Sequence, residues 1–154
     1  MRILEGERIG KTAKLRVGCS ALVFDESRQK ILLTRRSDNG RWCIPGGAVD
    51  EGESVTETCE REMLEETGLC VRVTRLIGVY SSPHRILEYA DGNRWQLVAL
   101  SFEAEVLGGE LQITDETTEV GYFTLAEIAH MDLLEHHRER IADALVGQVA
   151  TFVK

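Results

Sequence analysis

The segment from Gly47 to Leu69 constrains the fold of this chain more than any other, because it marks both ends of a helix. Ser54 is followed three residues later by Glu57, which is the pattern of a capping box at the start of a helix. Gly68 suits the left-handed position that ends a helix. The spacing therefore predicts a helix of about 13 residues directly after a glycine-led loop.

Three carboxylates of this predicted helix lie on an inward face. At about 100° per residue, Glu62, Glu65 and Glu66 fall within an arc of about 100°, beside the apolar face of the same helix. Clustered carboxylates near a core repel one another and lose hydration, so a cation must offset them. Mg²⁺ fits, since it takes a few carboxylates together with substrate phosphates. Glu62 and Glu66 are one turn apart and suit one ion, with Glu65 beside them for a second.

A simpler interpretation is a solvated helix in which Arg61 pairs with Glu57 or Glu65. The preceding loop, IPGGAVDEGE, argues against it, because two adjacent glycines let the backbone approach a ligand closely. We therefore favour a ligand site that the loop and the helix form together.

The segment resembles the Nudix box of the MutT-like Nudix hydrolases, G-x5-E-x7-R-E-U-x-E-E-x-G-U, in which U is an apolar residue. Every specified position of that pattern is filled, by Gly47, Glu53, Arg61, Glu62, Met63, Glu65, Glu66, Gly68 and Leu69. The resemblance implies an α/β fold, a Nudix-type α/β/α sandwich with a mixed sheet between helices. At this length we expect one domain over residues 1–154.

The resemblance also implies a metal site and a reaction. The carbonyl of Gly46 would ligate metal together with Glu62, Glu65 and Glu66, and Arg61 would position a neighbouring glutamate through a salt bridge. The implied reaction is hydrolysis of a pyrophosphate bond that depends on Mg²⁺, with Mn²⁺ as an alternative. Its substrate would be a nucleoside diphosphate linked to another group, such as an NDP-sugar like ADP-ribose, a dinucleotide or an NTP.

One carboxylate must accept a proton from the attacking water. We rank Glu62 first for its central place in the cluster, with Glu53 and Glu116 behind it. Glu116 lies in TDETTEVGYF, which resembles the region where many family members supply an additional acid. A solvated acidic loop is an equally good interpretation of that stretch.

Four further residues are candidates for substrate binding. Arg35 and Arg36 end a predicted strand and could hold phosphate bidentately, although arginines at strand ends are more often surface charges. Arg85 and Tyr89 flank the one long irregular connection, and aromatic residues beside arginines suit a nucleobase or a sugar. Three histidines are expected on exposed helical stretches and receive no role: His130, His136 and His137.

The remaining pattern predicts strands and helices in an order that places helices on both faces of a mixed sheet. The polar stretch 25–29 should join the first two strands as a hairpin, and the two glycines at 108–109 should turn into another strand. The predicted strands are Leu15–Phe24, Lys30–Thr34, Val71–Tyr80, Trp95–Val106, Glu110–Ile113 and Val120–Phe123. Two further predicted helices close the chain, Leu125–His130 and Leu133–Val146.

Composition limits the partners of the chain. A net charge of −8 argues against broad nucleic-acid binding, which needs many contacts from Lys and Arg to phosphates. No apolar run reaches the length of a membrane span and no signal-peptide layout is present, so we expect no membrane contact and a cytoplasmic location. The four cysteines lack CxxC spacing, which favours reduced, packed thiols. The sequence leaves open whether the chain forms a homodimer.

Two other functions compete with hydrolysis. The first is a Nudix-like domain that senses nucleotides without turnover. Such domains usually lose carboxylates of the box, and the complete set here weighs against this hypothesis. The second is isomerisation of a prenyl diphosphate, which needs further catalytic residues, including a cysteine in a different local setting, that the sequence does not reveal.

Overall fold

Ten strands and three α-helices form the fold in a computed structural model that describes residues 1–154. A short 3₁₀ helix, Ile9–Thr12, follows the first strand. The helices are α1 (Val55–Thr67), α2 (Leu125–Ala129) and α3 (Glu135–Leu145). The strands are β1 (Arg2–Glu5), β2 (Lys14–Leu22), β3 (Lys30–Arg36), β4 (Trp42–Cys43), β5 (Gly46–Ala48), β6 (Leu69–Tyr80), β7 (Arg85–Glu88), β8 (Arg94–Gly109), β9 (Thr117–Thr124) and β10 (Phe152–Val153).

The strands belong to two sheets. A seven-stranded mixed sheet has the order β1-β7-β8-β2-β5, and β6 joins it by pairing with β8 and β10. Within it, β8 runs parallel to β2 and antiparallel to β6 and β7. A separate three-stranded sheet has the order β4-β3-β9. The long strand β8 therefore organises the larger sheet, since it pairs with three other strands.

Side chains of β2 separate two hydrophobic cores. Cys19 and Ala21 pack in one core with Cys59 of α1, whereas Leu22 packs in the other core with Ile141 of α3. Successive side chains of a strand point to opposite faces, so α1 and α3 lie on opposite sides of this sheet. The predicted α/β sandwich with a mixed sheet is confirmed.

Helix α1 has the predicted boundaries. The Ser54 hydroxyl accepts the Glu57 N–H at 3.2 Å, and the Glu57 carboxylate accepts the Ser54 N–H at 2.8 Å, which completes the capping box. Gly68 ends the helix in the left-handed conformation with φ 78°. The helix spans 13 residues, and its buried face includes Glu62 and Glu66.

The predicted hairpin between the first two strands is wrong. They pair only next to the turn, where Phe24 and Ile31 form an isolated antiparallel bridge and the Leu32 N–H donates to the Val23 carbonyl at 2.9 Å. Strand β2 belongs to the larger sheet and β3 to the smaller one. The reason is that β2 pairs with β8 on one edge and β5 on the other, which leaves no free edge for β3.

The predicted strand Glu110–Ile113 is also wrong. Strand β8 continues through Gly109, which pairs with Leu69 at the start of β6. The following segment is irregular, and the Gln112 N–H donates to the Thr67 carbonyl at the end of α1. A helix end leaves carbonyls without partners, so this segment caps α1 instead of forming a strand.

Two of the three histidines are not exposed. His130 is exposed as expected, but His136 and His137 are buried within α3. His137 accepts the Ile44 N–H through Nδ1 at 2.9 Å, which holds α3 against the chain between β4 and β5. The prediction failed because the burial comes from contact with residues distant in sequence.

The four cysteines are free thiols, and all but Cys70 are buried. No helix of this fold is long and apolar enough to cross a membrane.

Candidate active site

Three carboxylates meet beside α1. Ligand oxygens of Glu62, Glu66 and Glu116 all lie within 4.8 Å of one another. Glu62 and Glu66 occupy successive turns of the buried face of α1, and Glu116 comes from the loop before β9. The Thr117 hydroxyl donates to the Glu66 carbonyl at 3.2 Å, which ties that loop to α1. We call these three residues the carboxylate cluster.

Two glycines of β5 make room for the cluster. A Cβ atom on Gly47 would collide with the Glu62 carboxylate, and one on Gly46 would collide with the Cys19 carbonyl. The Gly46 N–H donates to the Glu66 carboxylate at 2.9 Å. Because Gly47 has no side chain, the Glu62 carboxylate can lie against β5 and line the cleft, whereas Gly46 lets β5 approach the backbone of β2.

Arg61 connects the remaining acids of the box. Its guanidinium binds both Glu53 oxygens, at 2.6 and 2.9 Å, and also donates to Glu62 at 2.9 Å. A further hydrogen bond of 3.0 Å reaches Glu65, whose side chain is half exposed and lies outside the carboxylate cluster. Arg61 thus contacts Glu62 directly and binds Glu53 through both of its carboxylate oxygens.

Burial and ion pairing shift the pKa values of these acids in opposite directions. Burial raises the pKa of Glu66 to about 8, and it also raises the pKa of Glu62. The hydrogen bonds from Arg61 lower the pKa of Glu53 to about 2. A cation would favour ionised Glu62 and Glu66 by offsetting their desolvation and mutual repulsion. Buried oxygen donors of this kind fit a hard divalent ion such as Mg²⁺.

The cleft beside the cluster has a volume of about 430 Å³. Of the four predicted substrate-binding residues, Arg36 and Tyr89 line it. Arg36 is held bidentately by Asp38, with both N–O distances at 2.8 Å. Arg35 lies outside and pairs with Glu119 at 2.6 Å. Arg85 lines a neighbouring cavity.

Sequence analysis missed several residues of this cleft. Arg16 lines it with its guanidinium 5.0 Å from the ring centre of Trp95. The alternation of β2 could have revealed Arg16, since Gly18 and Ser20 face the same side. From α3, His136 and Arg140 also line the cleft. The sequence shows that these two residues are one helical turn apart, but it does not show that they are buried.

A protein-family model described as NUDIX domain matches residues 14–144 of this chain. An ADP-ribose pyrophosphatase of Methanocaldococcus jannaschii is 42% identical over 103 residues, which cover 65% of this chain and 57% of that protein. A MutT-like protein of Streptomyces ambofaciens is 35% identical over 118 residues, or 77% of this chain and 70% of that protein. The chain thus spans little more than half the length of the first relative.

Solved structures agree with these matches. An ADP-ribose pyrophosphatase from Streptococcus suis superposes with a TM-score of 0.72 at 26% identity, covering 90% of this chain and 98% of that one. A MutT NUDIX hydrolase from Burkholderia pseudomallei gives a TM-score of 0.66 at 29% identity, covering 84% of this chain and 98% of that one. The similarity therefore extends well beyond the box to most of the fold.

Proposed function

This chain belongs to the Nudix family, and from that premise we propose that it hydrolyses a pyrophosphate bond in a nucleoside diphosphate linked to another group, with a divalent metal as cofactor. The observation that carries the proposal is the carboxylate cluster in a cleft large enough for a nucleotide. Relatives named as ADP-ribose pyrophosphatases favour an NDP-sugar such as ADP-ribose over a dinucleotide or an NTP.

The residues that would hold Mg²⁺, or Mn²⁺ in its place, are the three of the carboxylate cluster and the Gly46 carbonyl. Glu65 stays a candidate for a second ion, although it lies nearer to Arg61 than to the cluster. When bound, the cation would neutralise charge on the phosphate oxygens and acidify the attacking water. The raised pKa values of Glu62 and Glu66 support this assignment, because buried carboxylates need a counter-charge to ionise.

Glu62 is our choice for the group that accepts the proton of the water. Arg61 fixes one of its oxygens at 2.9 Å, and burial raises its pKa toward neutrality, where a general base is most effective. Glu53 is a weaker candidate, since Arg61 binds both its oxygens and lowers its pKa to about 2. Glu116 is exposed and ranks between them as a base or a ligand.

The other end of the cleft suits a nucleoside. Trp95 and Tyr89 offer aromatic faces, and Arg16 lies over the Trp95 ring. Arg36 supplies positive charge, although Asp38 already holds its guanidinium. We therefore place the base and ribose near Trp95 and the diphosphate near the carboxylate cluster. Arg35 and Arg85 lie outside this path.

The decisive experiment incubates the protein with Mg²⁺ and a panel of NDP-sugars, dinucleotides, NTPs and prenyl diphosphates, followed by chromatography of the products. For ADP-ribose we expect AMP and ribose 5-phosphate, with no product after chelation of the metal. Saturable binding without product would instead indicate a nucleotide sensor, and a rearranged prenyl diphosphate would indicate an isomerase. Either result would replace the proposed hydrolysis.

A cytoplasmic location stays a prediction, and assembly as a homodimer stays an open alternative. Sedimentation velocity measures the assembly state, and a strictly monomeric species at all concentrations would contradict the homodimer. Cell fractionation measures the location.

A further inference from the structure

A second cavity of about 240 Å³ adjoins the cleft. The two spaces share one wall, which contains Trp95, Leu97 and Ala99 of β8. His136 and Arg140 of α3 also line both spaces. The second cavity therefore adjoins the cleft at two polar side chains of one helix face.

Arg140 is a buried cation without an acidic partner. Its residue is 5% exposed, and no carboxylate lies within salt-bridge distance. Its only hydrogen bond is a long one of 3.4 Å from Nη1 to the Ser20 hydroxyl, and Nε has no partner. The guanidinium also lies 5.4 Å from the ring centre of Tyr80. An unpaired buried charge is costly, so a ligand of opposite charge would stabilise this arrangement.

His136 has a second unsatisfied atom, one helical turn before Arg140. The residue is 8% exposed, and its Nδ1 has no hydrogen-bond partner. Burial, followed by the nearby positive charge of Arg140, lowers the pKa of His136 to about 3. The imidazole is therefore neutral near pH 7 and offers one N–H donor to a ligand.

The other charged groups around the cavity already have partners. Lys154 binds Asp143 at 2.9 Å and lies 3.6 Å from Glu139. Asp143 also accepts the Tyr80 hydroxyl at 2.9 Å. Arg85 is paired with Glu5 at 2.9 Å. Lys154 and Arg85 thus each have a carboxylate within salt-bridge distance, whereas Arg140 has none and Glu139 acts on it only at longer range.

We propose that this second cavity is a phosphate-binding subsite, in which Arg140 and His136 bind a phosphoryl group. A guanidinium presents several donors in a planar fork, and phosphate has enough oxygens to accept from Arg140 and His136 together. The phosphoryl group is either a phosphomonoester on the group linked to the nucleoside diphosphate or free orthophosphate. The phosphomonoester as source rests on the proposed hydrolase function, whereas binding of orthophosphate does not.

Calorimetry with inorganic phosphate on the metal-free protein tests the subsite, because without metal the carboxylate cluster repels phosphate. At constant ionic strength we expect saturable binding to one site in the millimolar range or tighter. Arg140→Met should weaken it by at least about 10-fold, as loss of a charged hydrogen bond does. Arg72→Met is the matched control, since Arg72 is exposed and lies outside both cavities.

A second measurement keeps the test valid if Arg140→Met does not fold. In the unaltered protein, NMR signals of the His136 imidazole should shift with phosphate, and those of exposed His130 should not. The absence of saturable binding up to about 50 mM phosphate, or equal binding by Arg140→Met, would overturn the proposal.

The source of the phosphoryl group follows from binding to the Glu62→Gln protein. An NDP-sugar with a phosphomonoester on its distal sugar should bind at least about 10-fold tighter than the same compound without it. Equal affinities, together with binding of inorganic phosphate, assign the subsite to free orthophosphate. Neither measurement requires turnover, so failure of hydrolysis and failure of the subsite are distinguishable.

Discussion

Helices α1 and α3 bring buried acidic groups and buried basic groups, respectively, to one cleft. Helix α1 contributes Glu62 and Glu66, whose pKa values are raised by burial. Helix α3 contributes His136 and Arg140, whose pKa values burial lowers to about 3 and about 10. In both helices the same cause, loss of hydration, opposes the charged form of each group.

The two regions differ in how the fold manages that cost. On α1, Arg61 lies beside Glu62 and offsets part of its charge, and the Gly46 N–H satisfies Glu66. On α3, no carboxylate lies within salt-bridge distance of Arg140. The proposed ligands differ accordingly, a cation at α1 and an anion at α3. Ionisable groups with perturbed pKa values in a cleft are a common sign of a functional site.

The largest expected effect is on turnover at α1. Glu62→Gln keeps the size of the side chain and its helix propensity but removes the proton acceptor. We expect kcat to fall by a factor of about 10² or more, with little loss of stability. Initial rates with saturating NDP-sugar and Mg²⁺ measure the change, and the metal-free variant should melt no lower than the original protein.

Glu57→Gln is the control for this substitution. Glu57 belongs to the capping box and lies outside the carboxylate cluster, and glutamine preserves a capping box. Its turnover should stay nearly unchanged. If both variants lost activity equally, or if Glu62→Gln unfolded the metal-free protein, Glu62 would be a structural residue instead.

Next in size is the stabilisation of α1 by metal. If Mg²⁺ binds the carboxylates of the native state as proposed, it should raise Tm with concentration and increase the free energy of unfolding by about 2.7 kcal/mol at 100 times Kd. Differential scanning calorimetry measures this shift. Glu66→Gln should reduce it strongly, whereas Glu60→Gln, at an exposed position of the same helix, should not. A Tm unchanged up to millimolar Mg²⁺ or Mn²⁺ contradicts the metal site.

The sequence predicted α1 better than any other element, because its signals are local. Ser54, Glu57 and Gly68 mark its ends within one short segment, and helical spacing places Glu62 and Glu66 on one face. The box also matches a family pattern residue by residue, so its carboxylates could be identified without coordinates.

Features that depend on distant partners could not be predicted in this way. The hairpin between β2 and β3 failed because β2 pairs with β8, which lies far along the chain. Glu116 was undecided between a solvated loop and the site, since its place depends on the contact of Thr117 with the Glu66 carbonyl. Arg140 received no role from the sequence, because its burial depends on distant residues such as Ser20 and Tyr80.

Another expected effect on α1 is a dependence of stability on pH without metal. Glu66 has a pKa of about 8 when folded against an ordinary value of 4.5. Between these values the native state holds more protons, so its stability falls as pH rises from about 4.5 to about 8. We expect a loss of up to about 5 kcal/mol across this window, since each pH unit between the two values contributes about 1.4 kcal/mol.

Thermal unfolding in chelator at several pH values measures this slope. Glu66→Gln should flatten it, so that the variant gains stability over the original protein as pH rises. Saturating Mg²⁺ should flatten it as well. A slope that Glu66→Gln leaves unchanged would assign the effect to another group.

The smallest expected effect is on the stability of α3. Arg140→Met removes an unpaired buried charge and keeps most of the apolar volume, which offsets the loss of the long bond to Ser20. We expect the free energy of unfolding to change by less than about 1 kcal/mol, toward greater stability. On the same helix, Ile141→Ala should cost about 2 to 4 kcal/mol, because Ile141 is 4% exposed in the core. Urea unfolding of both variants measures the difference. If Arg140→Met destabilised the protein as much as Ile141→Ala, Arg140 would be a packing residue and α3 would not resemble α1 in holding charge for a ligand.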